Sequence, residues 1–347
     1  MKVLILTKSD DNQSIADVTR ALNERGAEVL RLDTDHFPGE VRMSERAGAE
    51  GVELELTTPA GSARLSEVDA LWHRRLAFGA RLPEGIDHQQ RVAAIEESKR
   101  SLMGALGAAP CFKVDPMWRI RHAGQKSLQL AVAREVGLDL PRTLVSNDAD
   151  ALREFWDACD GKVVAKMQSS FAIYDDDGNE NVVFTNTLSQ ADIDDPQGLE
   201  LCPMTFQEKL EKRLELRVTV VGDRVFSAAV DSARMEGAEV DWRRKGAQLI
   251  GAWKEHQLPA DVERGCLDLM DRLQLNYGAI DIVATPQGRH VFLEVNPSGE
   301  FFWLEREPGL PIAAALADVL TGRAPRREEL HETMSGAGIA AVMPQRA

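Results

Sequence analysis

The sequence predicts a mixed α/β protein with two or three domains. The chain opens with a strand, a helix and a second strand, an order typical of a parallel sheet covered by helices. Later segments match pairs of strands joined by short polar turns, which indicate antiparallel sheets. The 347 residues, 44% of them hydrophobic, are enough to bury more than one core.

The N-terminal region predicts a parallel sheet without a phosphate-binding loop. A buried strand is predicted in "KVLILT", a helix ending at Gly26 in "SIADVTRALNERG" and a second strand in "AEVLRLD". The intervening loop "TKSDDNQS" contains no glycine, so it does not match a glycine-rich nucleotide-binding loop. A hairpin in "VELELTTPAGSARL", a strand before "HRR" and a long helix in "DHQQRVAAIEESKRSLMGALG" follow.

The remaining segments alternate between helices and hairpins. A helix and a strand are predicted in "RHAGQKSLQLAVAREVGLDLPRTLVSND", and strands in "GKVVAKMQSS" and "NVVFTNTL" flank the acidic turn "YDDDGNE". Three successive strands are predicted in "MTFQEKLEKRLELRVTVVGDRVFSAAV", a helix in "ADVERGCLDLMDRLQL" and a hairpin in "YGAIDIVATPQGRHVFLEVNP". The tail "RAPRREELHETMSGAGIAAVMPQRA" is polar at first and then small and apolar, and its sequence indicates no more than one helix and a loose end.

Composition limits the function classes. The formal net charge of −15 disfavours nucleic-acid binding. The four cysteines are scattered without a CxxC pair, which indicates a reducing cytoplasm rather than a disulfide framework or a zinc site. No signal peptide and no membrane span are predicted. We therefore expect a cytoplasmic protein with neither a nucleic-acid nor a membrane partner.

The hairpin near residue 290 predicts a metal site. Asp281 lies on one predicted strand, and Glu294 and Asn296 lie two residues apart on the next, so the last two face the same side. If the strands pair through "TPQG", three oxygen ligands meet at one end of the hairpin, which suits Mg²⁺. The alternative is a polar turn with two solvated acids.

Basic residues that could bind phosphate are spread along the chain. Lys126 begins a predicted helix, and Lys166 lies in the apolar strand "VVAKM", where a cation needs a cleft or a partner. Arg217 lies in "ELRVTVV", and Arg243 and Arg244 follow Trp242. For Arg243 and Arg244, a solvated basic turn is about equally compatible with the sequence.

The segment "FQEKLEKRLEL" has two interpretations. As a strand that ends in a hinge, its exposed backbone could bind an adenine edge, with Glu208 accepting from the amino group and Lys209 and Leu210 supplying backbone groups. As a helix start, it has the spacing of paired Glu and Lys residues. The segment alone does not decide between these interpretations.

The order of these motifs resembles the ATP-grasp ligases, which favours the adenine interpretation. More narrowly, "LDTDHFP", "LWHRR" and "EVNPSGEFFWLE" resemble the ATP-grasp maturases of graspetides. The resemblance implies an ATP-grasp fold. It also implies an N-terminal pre-ATP-grasp α/β domain (1–118), a central lid domain with a peptide-binding hairpin (119–205), a C-terminal antiparallel-sheet catalytic domain (206–325) and a tail (326–347).

The resemblance also implies the reaction. ATP and Mg²⁺ would activate a Glu or Asp side chain of a ribosomal precursor peptide as an acyl phosphate, and a Thr or Ser hydroxyl would close an ω-ester ring. The alternatives are an ω-amide ring, an amino-acid or peptide ligase of the glutamate-adding type, and a binding protein that keeps the fold and ATP but has lost turnover. Arg217 and Arg243 would stabilise the transferred group, and Glu215 and Asp231 are candidates for the base.

A leader peptide would dock on the acidic hairpin, and the protein would be a homodimer. The expected leader-binding residues are Phe171, Ile173, Tyr174, Asp175, Asp176, Asp177, Val182 and Val183. Added strands gain backbone hydrogen bonds without demanding particular side chains. Without the resemblance, a solvated acidic loop is the better interpretation.

Two departures from the family pattern stand out. The segment "QSSFAIYDDDGNENVVFTN" replaces the glycine-rich loop that most ATP-grasp enzymes place over the phosphates. Glu300 follows the turn where many relatives have Gln, so the resemblance leaves the role of Glu300 open.

Overall fold

The mixed α/β class is confirmed in a computed structural model. It describes residues 1–49, 51–58, 61–168, 172–174, 180–182, 185–232 and 246–327. The first part contains β1 (Lys2–Thr7), α1 (Ser14–Glu24), β2 (Glu28–Asp33), β3 (Arg42–Gly48), β4 (Gly51–Thr58), β5 (Gly61–Arg64), β6 (Ala70–His73), α2 (His88–Ala108), β7 (Phe112–Val114) and α3 (Met117–Ala123).

The middle part contains α4 (Lys126–Glu135), β8 (Thr143–Ser146), α5 (Ala149–Ala158), β9 (Val163–Lys166), β10 (Ala172–Tyr174), β11 (Glu180–Val182), β12 (Asn186–Thr187), α6 (Gln190–Asp194) and β13 (Met204–Glu208). The last part contains β14 (Leu214–Val221), β15 (Arg224–Val230), α7 (Gly246–Leu249), β16 (Lys254–Glu255), α8 (Ala260–Leu273), β17 (Tyr277–Ala284), β18 (His290–Asn296), α9 (Phe302–Arg306) and α10 (Ile312–Leu320).

The predicted parallel sheet is present, in the order β2-β1-β6-β7. Its inner strand β1 is apolar from Val3 to Leu6, as expected for a strand that is covered on both faces. Val3 and Ile5 pack with residues of α1 and α10, whereas Leu4 and Leu6 pack with residues of α2. The helix α1 ends before Gly26, whose φ of 76° favours glycine.

The antiparallel sheet near the C-terminus has the order β16-β15-β14-β17-β18. One face packs on α4 and α8, through Val218, Leu269 and Ile280 among others. The other face shares a core with α9 and α10. This sheet carries most of the candidate site residues on β14, β17 and β18.

Two smaller sheets and a hairpin complete the fold. The strands β3-β4-β5 form a meander, and the order β12-β9-β13-β8 forms the sheet that carries Lys166. The predicted acidic hairpin is present as the antiparallel pair β10–β11. The strands β3, β7 and β16 and the helices α3, α5, α6, α7, α9 and α10 were not predicted; β3, for example, is largely polar and exposed.

Two of the three predicted domain boundaries fall inside structural elements. The boundary at 118/119 lies within α3, and that at 205/206 lies within β13. The late helix α10 packs against α1, where Arg25 pairs with Asp318 at 2.7 Å. The C-terminal part of the chain therefore returns to the N-terminal sheet, and the division into domains stays a prediction.

Two further properties of the structure concern its cysteines and its helices. All four cysteines are free. Within the parts of the chain described above, no helix is both long enough and apolar enough to cross a membrane.

Candidate active site

The predicted hairpin between Asp281 and Asn296 is confirmed, and its register brings the polar groups together. Asp281 pairs with Glu294 and Ala279 pairs with Asn296, with an irregularity between Asp281 and Ile282. On the other side of β17, Asp281 pairs with Arg217 of β14. Directly opposed residues of antiparallel strands share a face, so one row of charged side chains crosses three strands.

Glu294 is the ionic centre of this row. Its Oε2 lies 2.8 Å from Lys126 Nζ, and Asn296 Nδ2 donates to its Oε1 at 3.1 Å. Burial raises the pKa of the carboxyl group, but the nearby Lys126 and Lys166 charges overcome this effect and lower the pKa to about 2. Glu294 is therefore an anion at neutral pH, with a side chain that is 27% exposed.

Lys166 reaches the same centre from the small sheet. It lies at the end of β9 and donates to Gln207 Oε1 at 2.9 Å, while Gln207 Nε2 donates to Thr143 Oγ1 at 3.1 Å. The helix start at Lys126 and the strand end at Lys166 thus direct two ammonium groups toward one carboxylate.

Arg217 is the buried end of this row. Its Nη1 donates to Asp281 Oδ1 at 2.8 Å, and its guanidinium carbon lies 5.5 Å from the ring centre of Trp303. Glu215, two residues earlier, accepts from Ser232 Oγ at 2.5 Å and from Lys212 Nζ at 3.1 Å. Glu215 therefore has donors of its own, and its role as the base stays a prediction.

The strand interpretation of "FQEKLEKRLEL" is confirmed, since β13 ends at Glu208 and no helix follows before β14. The carboxylate of Glu208 accepts from Arg142 N at 3.1 Å and Arg142 Nε at 2.9 Å. Lys209 N donates to Lys162 O at 2.8 Å. The adenine-binding role of Glu208, Lys209 and Leu210 stays a prediction.

Several predicted site residues lie outside the described residues. These are Arg243 with its neighbour Arg244, and Phe171, Asp175, Asp176, Asp177 and Val183 of the hairpin. For Ile173, Tyr174 and Val182, the structure describes only the strand to which each belongs.

Sequence analysis missed a buried ionic link between the two large sheets. Arg74 directly follows β6, its side chain is only 1% exposed, and its Nη1 donates to Ser298 O at 2.7 Å and Gly299 O at 3.2 Å. It also pairs with Glu300. The signal was present in "LWHRR", because an arginine next to a buried strand needs an acidic or carbonyl partner.

Glu300 joins the N-terminal sheet to the turn after β18. Its carboxylate is paired with both Arg74 and Arg75 and accepts from Asn12 Nδ2. A carboxylate accepts several such bonds, whereas a Gln side chain would offer one oxygen and no charge. This network accounts for an acid at position 300.

Two further contacts hold the turn after β18 and the start of β17 in place. Tyr277 Oη donates to Gly299 O at 2.6 Å, and a side chain at position 299 would collide with Ala279 of β17. At the end of β7, the buried Asp115 accepts from the backbone N–H groups of Asn276 and Tyr277. Burial raises the pKa of Asp115 to about 6, and its donors favour the ionised form.

Comparisons with known proteins identify the family. Residues 2–121 match the family model described as the MvdD pre-ATP grasp domain. The chain is 41% identical to the macrocyclase MdnC from Microcystis aeruginosa MRC, solved with the precursor peptide MdnA, with a TM-score of 0.85 over 93% of this chain and 100% of MdnC. The chain belongs to the RiPP-associated ATP-grasp ligases, where RiPP denotes a ribosomally made, later modified peptide.

Two further structures agree with this assignment. The RiPP-associated ATP-grasp ligase of Chryseobacterium gregarium, solved with ADP and a leader and core peptide, is 37% identical, with a TM-score of 0.90 over 94% of this chain and 98% of that one. The macrocyclase MdnB from Microcystis aeruginosa MRC is 35% identical, with a TM-score of 0.77 over 91% and 98%. A search of curated proteins gave no significant match. The ATP-grasp fold implied by the motifs is confirmed.

The donor set of this ATP-grasp ligase fits Mg²⁺. Asp281, Glu294 and Asn296 offer hard oxygen atoms at one end of a hairpin, and Glu294 is held ionised. Within the described ranges no group of three or more His, Cys, Asp or Glu residues could hold a metal ion. A site built from two carboxylates and one amide is compatible with that finding.

Proposed function

We propose that this protein is an ATP-dependent macrocyclase that closes ω-ester bonds within a ribosomal precursor peptide. Thr or Ser hydroxyls and Glu or Asp carboxylates of the peptide are joined, with an acyl phosphate as the activated form. The row formed by Arg217, Asp281 and Glu294, facing Lys126 and Lys166, is the observation that carries the proposal. The full-length similarity to MdnC and to the ADP-bound ligase supports it.

Charge placement is the main contribution of the chain to the first step. Lys126 and Lys166 are poised to bind phosphate oxygens, since both already face an anion in Glu294. Asp281, Glu294 and Asn296 would hold Mg²⁺, which when bound supplies positive charge at the phosphates of ATP. Phosphoryl transfer depends mainly on such positioning and charge stabilisation.

Arg217 suits the second step. When the peptide hydroxyl attacks the acyl phosphate, negative charge develops on the carbonyl oxygen and then leaves with phosphate. A guanidinium held by Asp281 and packed near Trp303 presents its donors without needing to reorganise. Glu215 and Asp231 are the candidates to take the hydroxyl proton, and Arg243 is a candidate for a second oxyanion contact.

The hairpin β10–β11 is the proposed docking site of the leader peptide. It forms a two-stranded sheet that has no third strand among the described residues. The outer edges of such a pair present N–H and C=O groups to which an extended peptide can add. A variant shortened between residues 174 and 181 should bind a leader–core peptide several-fold more weakly and bind ATP unchanged. Loss of ATP affinity with peptide affinity retained would instead make this hairpin a phosphate lid.

The reaction is tested by mass spectrometry. The protein is incubated with ATP, Mg²⁺ and either MdnA or a precursor peptide encoded beside its own gene. Each ring formed removes one water from the peptide, and mild alkali restores the water to an ester but not to an amide. Alkali-stable water loss would establish the amide-forming alternative, and no water loss with either peptide would contradict a macrocyclase.

The predicted homodimer and cytoplasmic location belong to the same proposal. The free cysteines are compatible with a reducing compartment. Sedimentation of the purified chain tests the dimer, and a monomer across the working concentration range would contradict it.

A further inference from the structure

A large basic cleft lies in the N-terminal part of the molecule. Its volume is about 1030 Å³, at the upper end of the roughly 300–1,000 Å³ typical of small-molecule sites, and far more than one inorganic anion needs. The cleft lies between one face of α2 and the start of α3. Its charged lining residues are Lys99, Arg100, Lys113, Arg121 and Glu96.

The positive charge of this cleft is poorly compensated. Lys99 pairs with Glu96 at 3.6 Å. The side chains of Arg100 and Arg121, in contrast, have no ion pair or hydrogen bond among the residues that the structure describes. Lys113 is 6% exposed and donates to the carbonyl oxygens of Ala109 and Cys111, with no carboxylate partner in the same part of the chain. In a chain with a formal charge of −15, four cations around one cleft form a local anion-binding surface.

A buried polar atom at the cleft also lacks a partner. His73 lines the cleft and is 4% exposed, and its Nδ1 lies 2.8 Å from the carbonyl oxygen of Asp115. That carbonyl can only accept, so Nδ1 carries the proton and Nε2 of the neutral ring is an acceptor. Nε2 is buried without a hydrogen-bond partner, which suits a hydroxyl or amide donor from a ligand.

Two glycines of α2 keep the cleft open. Gly104 and Gly107 lie three residues apart, line the cleft and have ordinary helical φ values. Glycine is among the least favourable residues in a helix interior. A Cβ at either position would meet no atom within 4 Å. Packing within the chain therefore does not require these glycines, and their effect is to leave space in front of the helix.

We propose that this cleft binds an acidic, hydroxyl-bearing peptide segment, the Thr- and Glu-rich core of the precursor on either side of the residues that react. This proposal rests on the macrocyclase function proposed above. Arg100 and Arg121 bind the carboxylates that are waiting to react or that remain unmodified. His73 accepts from a hydroxyl or an amide, and Gly104 and Gly107 admit the peptide backbone.

A second copy of this chain is the competing occupant of the cleft. Self-association about a two-fold axis would bring the same basic surface of both copies together, and like charges disfavour that arrangement. An acidic peptide, in contrast, supplies the charge that Arg100, Lys113 and Arg121 lack.

The test uses fluorescence anisotropy of the full chain with labelled short peptides of alternating Thr and Glu, or of alternating Thr and Gln. We expect the Thr–Glu peptide to bind more tightly and to weaken with added salt. The double variant R100E/R121E should bind it about tenfold or more weakly. The matched control is R264E, an exposed arginine on α8 that is not part of the cleft. Gly107→Leu should also weaken binding, whereas Gly107→Ala should not.

Equal binding of both peptides, or full affinity in R100E/R121E, would overturn the proposal. A cleft variant that converts a dimer into monomers in sedimentation but keeps full peptide affinity would also overturn the proposal. ATP affinity and water loss from the precursor are measured in parallel. Cleft-dependent peptide binding in a chain that forms no ring would overturn the macrocyclase function and leave the cleft as an acidic-peptide site.

Discussion

The parallel and antiparallel sheets carry their charged residues in different places. In the parallel sheet, β1 and β6 are almost wholly buried, and His73 and Arg74 come at the strand end or directly after it. In the antiparallel sheet, Arg217, Asp281 and Glu294 lie within strands, on one face. Parallel strands covered on both faces place polar groups at their ends, whereas the face of the antiparallel sheet that packs on α9 and α10 leaves the Asp281 and Glu294 side chains 24% and 27% exposed.

The two groups of charges also differ in exposure. The Arg74 side chain is 1% exposed and is held between Glu300 and two carbonyl groups of the turn. The Glu294 and Lys126 side chains are 27% and 25% exposed. We infer that the first group fastens the sheets together and that the second is open to a ligand. Substitutions in the Arg74 group should therefore lower the free energy of unfolding, and substitutions in the Glu294 group should lower turnover.

The largest effect is expected at the exposed row. Glu294→Gln keeps the size of the side chain but removes the charge that Lys126 faces and that a metal ion needs, so turnover should fall by about 100-fold or more. Water loss from the precursor peptide is measured by mass spectrometry, beside a melting curve. The control is Glu45→Gln, an exposed acid of β3. Near-normal turnover in Glu294→Gln would remove it from the metal site.

The next largest effect is expected at the buried link. Arg74→Met removes the donor to Ser298 O, one of the two donors to Gly299 O and one of the three partners of Glu300, which should lower the free energy of unfolding by about 3–5 kcal/mol. Denaturant unfolding measures it. The control is Arg224→Met, which breaks an exposed pair with Asp318 and should cost about 1 kcal/mol or less. Equal losses in the two variants would contradict a fastening role for Arg74.

A smaller effect is expected at Lys166. Lys166→Ala removes one charge-assisted contact to phosphate, so ATP affinity should fall by about tenfold while peptide affinity changes little. Titration calorimetry with a non-hydrolysable nucleotide measures the nucleotide affinity, and fluorescence anisotropy measures the peptide affinity. Lys162→Ala, which removes an exposed lysine from the same small sheet region, is the control. Equal losses for nucleotide and peptide would place Lys166 outside the phosphate site.

The smallest effect concerns pH. Lys126 and Lys166 overcome the effect of burial and hold the pKa of Glu294 at about 2, below its ordinary value of 4.5. A lowered carboxyl pKa stabilises the fold at pH values above about 4.5, and this contribution is lost as the pH falls toward 2. Unfolding midpoints of the wild type and of Glu294→Gln are compared at pH 5 and pH 3. The wild type should lose more stability, and parallel losses would contradict the lowered pKa.

Sequence reasoning succeeded where the signal was local. The strand segments "AIDIV" and "FLEVN" and the turn "TPQG" between them predicted the β17–β18 hairpin, and with it the proximity of Asp281, Glu294 and Asn296. Lys166 was selected because a cation in an apolar strand needs a partner, and its Nζ contacts Gln207 and influences Glu294. The motif order predicted the ATP-grasp fold, which the structural comparisons confirm.

Contacts between distant segments could not be predicted in this way. The bond from Arg74 to Glu300 spans 226 residues, and that from Arg25 to Asp318 spans 293. The sequence shows two arginines directly after the apolar start of "LWHRR", but it does not show that one of them is buried or which acid compensates them. Likewise, the boundary predicted at 205/206 lies inside β13, because strand pairing rather than local composition decides where that element ends.

By itself, the sequence determined the strands and the turn of the β17–β18 hairpin, the proximity of Asp281, Glu294 and Asn296 and the family, since each depends on residues close in the chain or on their order. Only the tertiary structure decided that Glu300 fastens two sheets, that Lys126 faces Glu294, and that Arg100 and Arg121 border an open cleft. The strength of an ion pair depends on the distance between the two charged groups and on their burial. Neither quantity is defined until the elements pack.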